Sequence, residues 1–265
     1  MFAQAWPLLL AGAAILGGMM LVLWVIHLLL RNAAVVDVGW AAGLGLLAAY
    51  YANAGPGYSA RRYVIATMAL IWSFRLAGYL LFARVIGHPE EGRYVQLRAE
   101  WKTNLPLRFL FFFEFQALLD LVLSVPFLIT CLNPIAPLGL FEKLGAGIWL
   151  VGMAGEALAD AQLDAFKKNP ANKGKTCRAG LWNYSRHPNY FFEWTIWVGY
   201  AVFALGSPWG WLGLISPALI LYFLLKLTGI PATEAQALRS RGDEYREYQR
   251  TTSAFVPWFP KKENA

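Results

Sequence analysis

Charge is scarce in this 265-residue chain: Asp, Glu, Lys and Arg make up 15% of it, against about 25% in an average soluble domain. With 58% hydrophobic residues and a mean hydropathy of +0.43, that shortage excludes an ordinary water-soluble globule. Cysteine is nearly absent as well. The two thiols, Cys131 and Cys177, fall near opposite faces of the membrane on the span map below, so neither a disulfide nor a cysteine-rich metal site is expected. Histidine occurs three times, without a recognised metal-ligand spacing, and no metal is expected. No long polar segment is available for a second domain, and no repeat of fixed period is visible. No Lys or Arg precedes the first apolar stretch, whose apolar core is also too long for a cleaved signal peptide.

What the chain has instead is apolar length. A helix needs about 20 mostly apolar residues to cross a bilayer, and seven stretches qualify, at roughly 7–30, 35–54, 63–86, 109–131, 141–165, 190–206 and 209–229. Basic residues divide unevenly between the loops these spans define. Nineteen of the 23 fall on one side, in the groups at Arg31, Arg84–Arg108, Lys167–Arg186 and Lys226–Lys262, whereas the other side holds Arg61, Arg62 and Lys143. Cytoplasmic loops collect Lys and Arg, so the N-terminus is predicted outside and the C-terminus in the cytoplasm. The expected fold is all-α, a polytopic bundle of seven transmembrane helices forming one domain over residues 1–265.

Ionisable groups inside spans cost at least ~2.5 kcal/mol at mid-membrane, so each needs a reason. Asp37 opens the second span beside Trp40. Trp72, Arg75 and Tyr79 mark the third, Arg75 and Tyr79 sharing a face four residues apart. Glu114, Gln116 and Asp120 punctuate the fourth. Glu156, Asp160 and Asp164 recur every fourth residue on the fifth, and Glu193 lies in the sixth. Pairing between helices accounts for any one of them; together they predict a hydrated or ligand-filled cavity open to the cytoplasm. His27 reads as a hydrogen-bonded core residue. The text Gly43-Leu44-Gly45-Leu46-Leu47-Ala48 matches the dinucleotide fingerprint G-x-G-x-x-G/A. That motif acts only at a strand-to-helix turn, however, and in an apolar span its glycines, with Gly39, are expected to serve close helix packing.

Three cytoplasmic pieces carry the densest polar pattern. One runs from Arg84 to Lys102. The second is the loop with Asn172, Lys173 and Lys175 that leads into Arg186-His187-Pro188-Asn189-Tyr190. The third is the tail with Glu234, Tyr245 and Tyr248. Pro188 suits the first turn of a helix, which would aim its positive end at whatever Arg186, His187 and Asn189 hold. That is an anion site, suited to a ligand bearing a pyrophosphate and a further phosphate.

The run Gly180-Leu181-Trp182-Asn183-Tyr184-Ser185-Arg186-His187-Pro188-Asn189-Tyr190 with Glu193, the upstream 152–160 helix and the closing 245–257 stretch resemble the steroid 5α-reductase family, more narrowly its bacterial membrane branch. The shorter Arg-His-Pro-Asn-Tyr piece also resembles sterol reductases and isoprenylcysteine carboxyl methyltransferases of the wider superfamily. The resemblance implies a seven-helix bundle, in a bacterial inner membrane, that binds NADPH mainly through residues 145–260 and reduces the double bond of a 3-oxo-4-ene steroid. It puts Asp160, Lys167, Asn189 and Glu193 along the cofactor, with Glu156 where the family often has an amide. Asn172, Lys175, Arg186, His187, Tyr190, Glu234, Tyr245 and Tyr248 complete the expected cofactor set. Asp37, Trp40, Trp72, Arg75 and Tyr79 form the expected substrate face.

Hydride addition to the β-carbon of an enone leaves negative charge on the carbonyl oxygen, so the site needs a dry slot, a phosphate clamp and an acid. Asp37, relayed by a tyrosine such as Tyr79, is the expected acid. Two other classes compete: an S-adenosylmethionine-dependent methyltransferase acting on a lipophilic acceptor, and a transporter. The expected partners are a lipophilic small molecule and membrane lipid, with no nucleic acid.

Overall fold

The structure is a computed structural model that describes residues 2–261, and among these it is helical, with no strand beyond one isolated bridge between Ser185 and Ser253. In chain order the α-helices are α1 (Phe2–Leu30), α2 (Val35–Ala54), α3 (Ser59–Leu80), α4 (Gly92–Trp101), α5 (Leu105–Leu123), α6 (Val125–Leu132), α7 (Leu140–Lys168), α8 (Pro188–Ala204), α9 (Ile215–Tyr222), α10 (Ile230–Arg241) and α11 (Asp243–Thr251). Short π-helical turns continue α3 over Leu81–Val85 and α9 over Phe223–Leu227. The chain divides into two compact units, one of Met1–Glu142 with Phe203–Ser216, the other of Lys143–Val202 with Pro217–Ala265.

Among the described residues four helical segments are long and apolar enough to cross a membrane: Ala3–Leu30, Val35–Ala54, Ser59–Val85 and Gly210–Arg241. The α5–α6 pair makes a fifth if its 43° bend is counted as one broken span. This is an integral membrane protein in contact with lipid. The other two stretches read as spans from the sequence are also helices, but neither reaches that standard. α7 carries Glu156, Asp160 and Asp164 along its length, and α8 has 17 residues, which at about 1.5 Å each fall short of a ~30 Å hydrocarbon core. The α5–α6 bend falls where Pro126 enters the first turn of α6 and Ser124 turns its hydroxyl back to the Leu121 carbonyl (2.9 Å).

In the first unit α2 is the central helix, and its small residues are why. A methyl group on Gly43 would stand 2.6 Å from an Asp120 oxygen of α5 and 2.9 Å from Leu16 of α1, and one on Gly45 would strike Ser73 of α3. The 43–48 glycines are thus contact points between helices, the role small residues play where lipid removes the hydrophobic drive for association. One corner of this unit is closed by a buried ion pair. Arg61 and Glu142, each 2% exposed, meet at 2.8 Å, and Arg61 also donates to the carbonyls of Asn133, Ile135 and Pro137. His27, buried against Phe109 and Phe113, bonds through Nδ1 to the Trp24 carbonyl (2.8 Å), the core histidine expected from the sequence.

In the second unit glycine again sets the approach of helices. Gly152 and Gly155 of α7 face Ile196 and Phe192 of α8, and Gly199 of α8 faces the backbone of Trp149. Any side chain at Gly155 would overlap the Phe192 ring, so this contact cannot form with a larger residue there.

Candidate functional site

The loop from α7 to α8 is pinned at nearly every turn. α7 ends in Lys167 and Lys168, cations that offset the negative end of its dipole. Asn169 accepts from Ala171 N–H (3.0 Å) to cap the turn that follows, and the Asn172 amide donates back to the Phe166 carbonyl (2.9 Å). Gly174 reverses the chain at φ +80°. Beyond it, α11 grips the loop: Thr176 N–H donates to Glu244 (2.9 Å), while Arg178 pairs with Glu247 (2.8 Å) and lies over the Tyr248 ring. Trp182 donates from its indole to the Ala159 carbonyl (2.9 Å), tying the loop to α7.

The Ser185–Tyr190 run is held as tightly. Ser185 donates to the Phe255 carbonyl (2.8 Å), Arg186 N–H to the Ser253 carbonyl (2.8 Å), and the Tyr248 hydroxyl to the Trp182 and Ser185 carbonyls. Pro188 is the first residue of α8, as its missing N–H allows. The buried His187 ring stacks on Tyr190 at 5.3 Å and meets Glu234 of α10 at 3.2 Å. Glu234 also accepts from Arg186 Nε (2.7 Å) and Gln249 (2.7 Å), so one carboxylate gathers three donors from two segments. Arg186 spends its remaining reach on the carbonyls of Gln249 and Thr252.

These segments enclose a cavity of about 460 Å³. Of the expected cofactor residues, Lys167, Asn172, Lys175, Arg186, His187, Asn189, Tyr190, Tyr245 and Tyr248 line it. Glu156, Asp160, Glu193 and Glu234 do not. Glu156 is buried in α7, Asp160 accepts from the Asn189 amide at 3.5 Å, Glu193 accepts from the Trp197 indole (2.9 Å), and Glu234 sits behind Arg186 and His187. Asp160 and Glu234 thus support wall residues, and Glu193 supports its own helix. Lys173, Thr176 and Arg241 line the cavity too. The sequence carried a signal for Lys173, which lies in the same basic loop. It carried none for Thr176 or Arg241, because only the folding of α10 and α11 against the loop brings them in.

The electrostatics of the cavity are one-sided. Lys167, Lys173, Lys175, Arg186 and Arg241 all line it, and among the described residues no Asp or Glu does. Among the described residues only Arg186 of these five is in an ion pair. Burial pushes the Tyr245 phenol up to about 12, with the nearby Glu234 charge adding to the effect, so it stays an O–H donor at neutral pH. Burial likewise raises the Cys177 thiol, opposed by the charges of Lys167 and Arg241.

The expected substrate residues lie in the first unit. Asp37, 18% exposed near the start of α2, accepts from the Tyr94 hydroxyl at 2.8 Å and from Arg93, with Arg84 at 3.5 Å. The tyrosine seen on Asp37 is thus Tyr94 of α4, fully buried, a residue not singled out from the sequence. Trp40 meets the buried Trp72 edge-on at 5.9 Å, Arg75 is partly exposed and Tyr79 is 52% exposed.

Fold and cavity together define a helical integral membrane protein with a cation-lined pocket in its second unit. The chain belongs to the protein family of unknown function DUF1295, whose profile matches residues 23–252. It is also similar to a probable O-methyltransferase, ustE, of Ustilaginoidea virens, at 42% identity over 60 residues, which are 23% of this chain and about a fifth (21%) of that protein. No solved structure matches the chain significantly.

Proposed function

We propose that this protein is a membrane reductase of the steroid 5α-reductase type that takes NADPH into the basic cavity and reduces the 4,5 double bond of a 3-oxo-4-ene steroid or a similar lipophilic enone. The observation that carries the reading is the lining: among the described residues, four cations without an ion pair and no carboxylate, a donor set matched to a ligand with several phosphates. NADPH supplies the hydride when bound. The chain's part is to hold it: Lys167, Lys173 and Lys175 offer charge to phosphate oxygens, Asn172 and Asn189 offer amides, and Tyr190, Tyr245 and Tyr248 offer ring faces and hydroxyls. Asp37 and Tyr79 remain the proposed partners of the substrate carbonyl, with Trp40, Trp72 and Arg75 on the substrate face. On this reading α7 and α8 also cross the membrane, making seven spans with the N-terminus outside and the C-terminus in the cytoplasm of a bacterial inner membrane. The 19-to-3 division of basic residues supports that orientation.

A second reading has an observation of its own. The 60-residue likeness to a probable O-methyltransferase favours a methyltransferase using S-adenosylmethionine on a lipophilic acceptor. The cavity weighs against it, since a sulfonium cation gains nothing from unpaired lysines. Melting of the detergent-solubilised protein with NADPH, NADH and S-adenosylmethionine in turn separates the two, because a ligand that binds only the folded state raises the Tm. A shift with NADPH, followed by NADPH oxidation on adding a 3-oxo-4-ene steroid, is expected. A shift with S-adenosylmethionine alone would replace reduction by methyl transfer.

A further inference from the structure

The cavity's cations are not equivalent. Arg186 is committed to Glu234 and two backbone carbonyls, so its charge is largely cancelled before any ligand arrives. Lys167 and Arg241 stand at the C-terminal ends of α7 and α10, where cations are at home beside the helix dipole, and that alone would explain their presence. It does not explain Thr176. This residue is 7% exposed and lies in the cavity wall, and its Oγ1 has no hydrogen-bond partner among the described residues, although its N–H is bonded to Glu244. A buried hydroxyl without a partner is costly, so it points to an acceptor that the protein itself does not provide. Its neighbour Cys177 also lines the cavity, and the charges of Lys167 and Arg241 both act on its thiol.

We infer that Lys167, Arg241 and Thr176 form a subsite for a phosphate monoester in the wall of this cavity. A monoester carries about −1.5 to −2 charge at neutral pH, against −1 on each phosphorus of a dinucleotide pyrophosphate, so it gains most from two unneutralised cations. Its acceptor oxygens also supply the partner that the Thr176 hydroxyl lacks. The inference rests on the dinucleotide reading above and sharpens it: the subsite holds the 2′-phosphate, and it is what separates NADPH from NADH.

The test is equilibrium binding of NADPH and NADH at fixed ionic strength to the purified full-length protein and to Arg241→Ala, Lys167→Ala and Thr176→Val, with melting of each variant as the folding control. The wild type is expected to prefer NADPH by tenfold or more. Arg241→Ala should lower NADPH affinity about tenfold and leave NADH binding unchanged, and Lys167→Ala should lower NADPH affinity by a larger factor than it lowers NADH affinity. Thr176→Val, which keeps the volume and removes the hydroxyl, should lower the preference by a smaller factor and serves if either charge variant fails to fold. Equal affinity of the wild type for the two dinucleotides, or a preference that survives in Arg241→Ala, overturns the subsite while leaving a dinucleotide site in place. Inorganic phosphate is the independent arm. If neither dinucleotide binds but phosphate raises the Tm of the wild type and not of Arg241→Ala, the subsite stands and the dinucleotide reading falls; no shift with any probe overturns both.

Discussion

Each unit gathers charged side chains, but the two gatherings differ in balance. In the first unit Asp37 is met by Arg84, Arg93 and Tyr94, and Arg61 is matched by Glu142, so charge is cancelled locally. In the second, Lys167, Lys173, Lys175 and Arg241 face a cavity with no carboxylate among the described residues of its wall. Self-neutralised clusters hold a fold together, because removing either partner strands the other in low dielectric. A cluster left with one sign of charge does nothing for the folded state by itself. It makes physical sense as half of an interaction whose other half is an anion.

The contrast fixes what mutations should do. The largest effect is expected from Glu142→Ala, which strands a fully buried guanidinium and should cost about 3–5 kcal/mol, read as a lowered unfolding midpoint in detergent. A change below 1 kcal/mol would show that the three carbonyls on Arg61 suffice without the carboxylate. Asp37→Asn should come next, at about 1–3 kcal/mol, through looser anchoring of α4, measurable as faster amide exchange over 92–101. The same variant tests the proposed acid: full turnover with NADPH bound would remove Asp37 from the chemistry and leave it a structural residue. In the cavity the order reverses. Lys173→Ala or Lys175→Ala should leave stability within about 0.5 kcal/mol of wild type yet weaken NADPH binding about tenfold, and binding should fall with added salt. Loss of stability without loss of affinity would erase the distinction between the units.

The smallest effect is a pH dependence. The Tyr245 phenol is raised from its ordinary 10 to about 12, so the folded state keeps a proton that the unfolded chain gives up. Its stabilising contribution is complete below pH 10 and is lost as pH rises towards 12. Tyr245→Phe should flatten that part of an alkaline unfolding curve. An unchanged curve would mean that the neighbouring Tyr248, raised by its own burial, accounts for it alone.

The helices were legible because apolar length is a local property. Each of the seven apolar stretches corresponds to helix, and Pro188 starts α8 where its lack of an N–H makes it harmless. What these helices do was less legible. The acidic residues of α7 recur every fourth position, but they divide between a buried Glu156, an Asp160 that accepts from Asn189, and an exposed Asp164. Glu193 looked like a ligand contact because it neighbours the polar run in sequence, and Glu234 because it opens the polar cytoplasmic tail. Both turned out to be spoken for by protein donors, Trp197 for one and Arg186, His187 and Gln249 for the other. A sequence shows that a carboxylate is near a motif, but not which donor reaches it first.

From the order of residues alone came the membrane solvent, the helical class, the glycine-mediated closeness of helices and the basic character of the 167–186 loop, since each follows from composition or from spacing over a few residues. Only the tertiary structure decided which charges cancel and which do not. Arg186 and Arg241 are indistinguishable as letters. One is neutralised by a glutamate 48 residues away and the other is left facing the cavity, because ion pairing depends on distances of a few ångströms between segments that the chain brings together only when it folds.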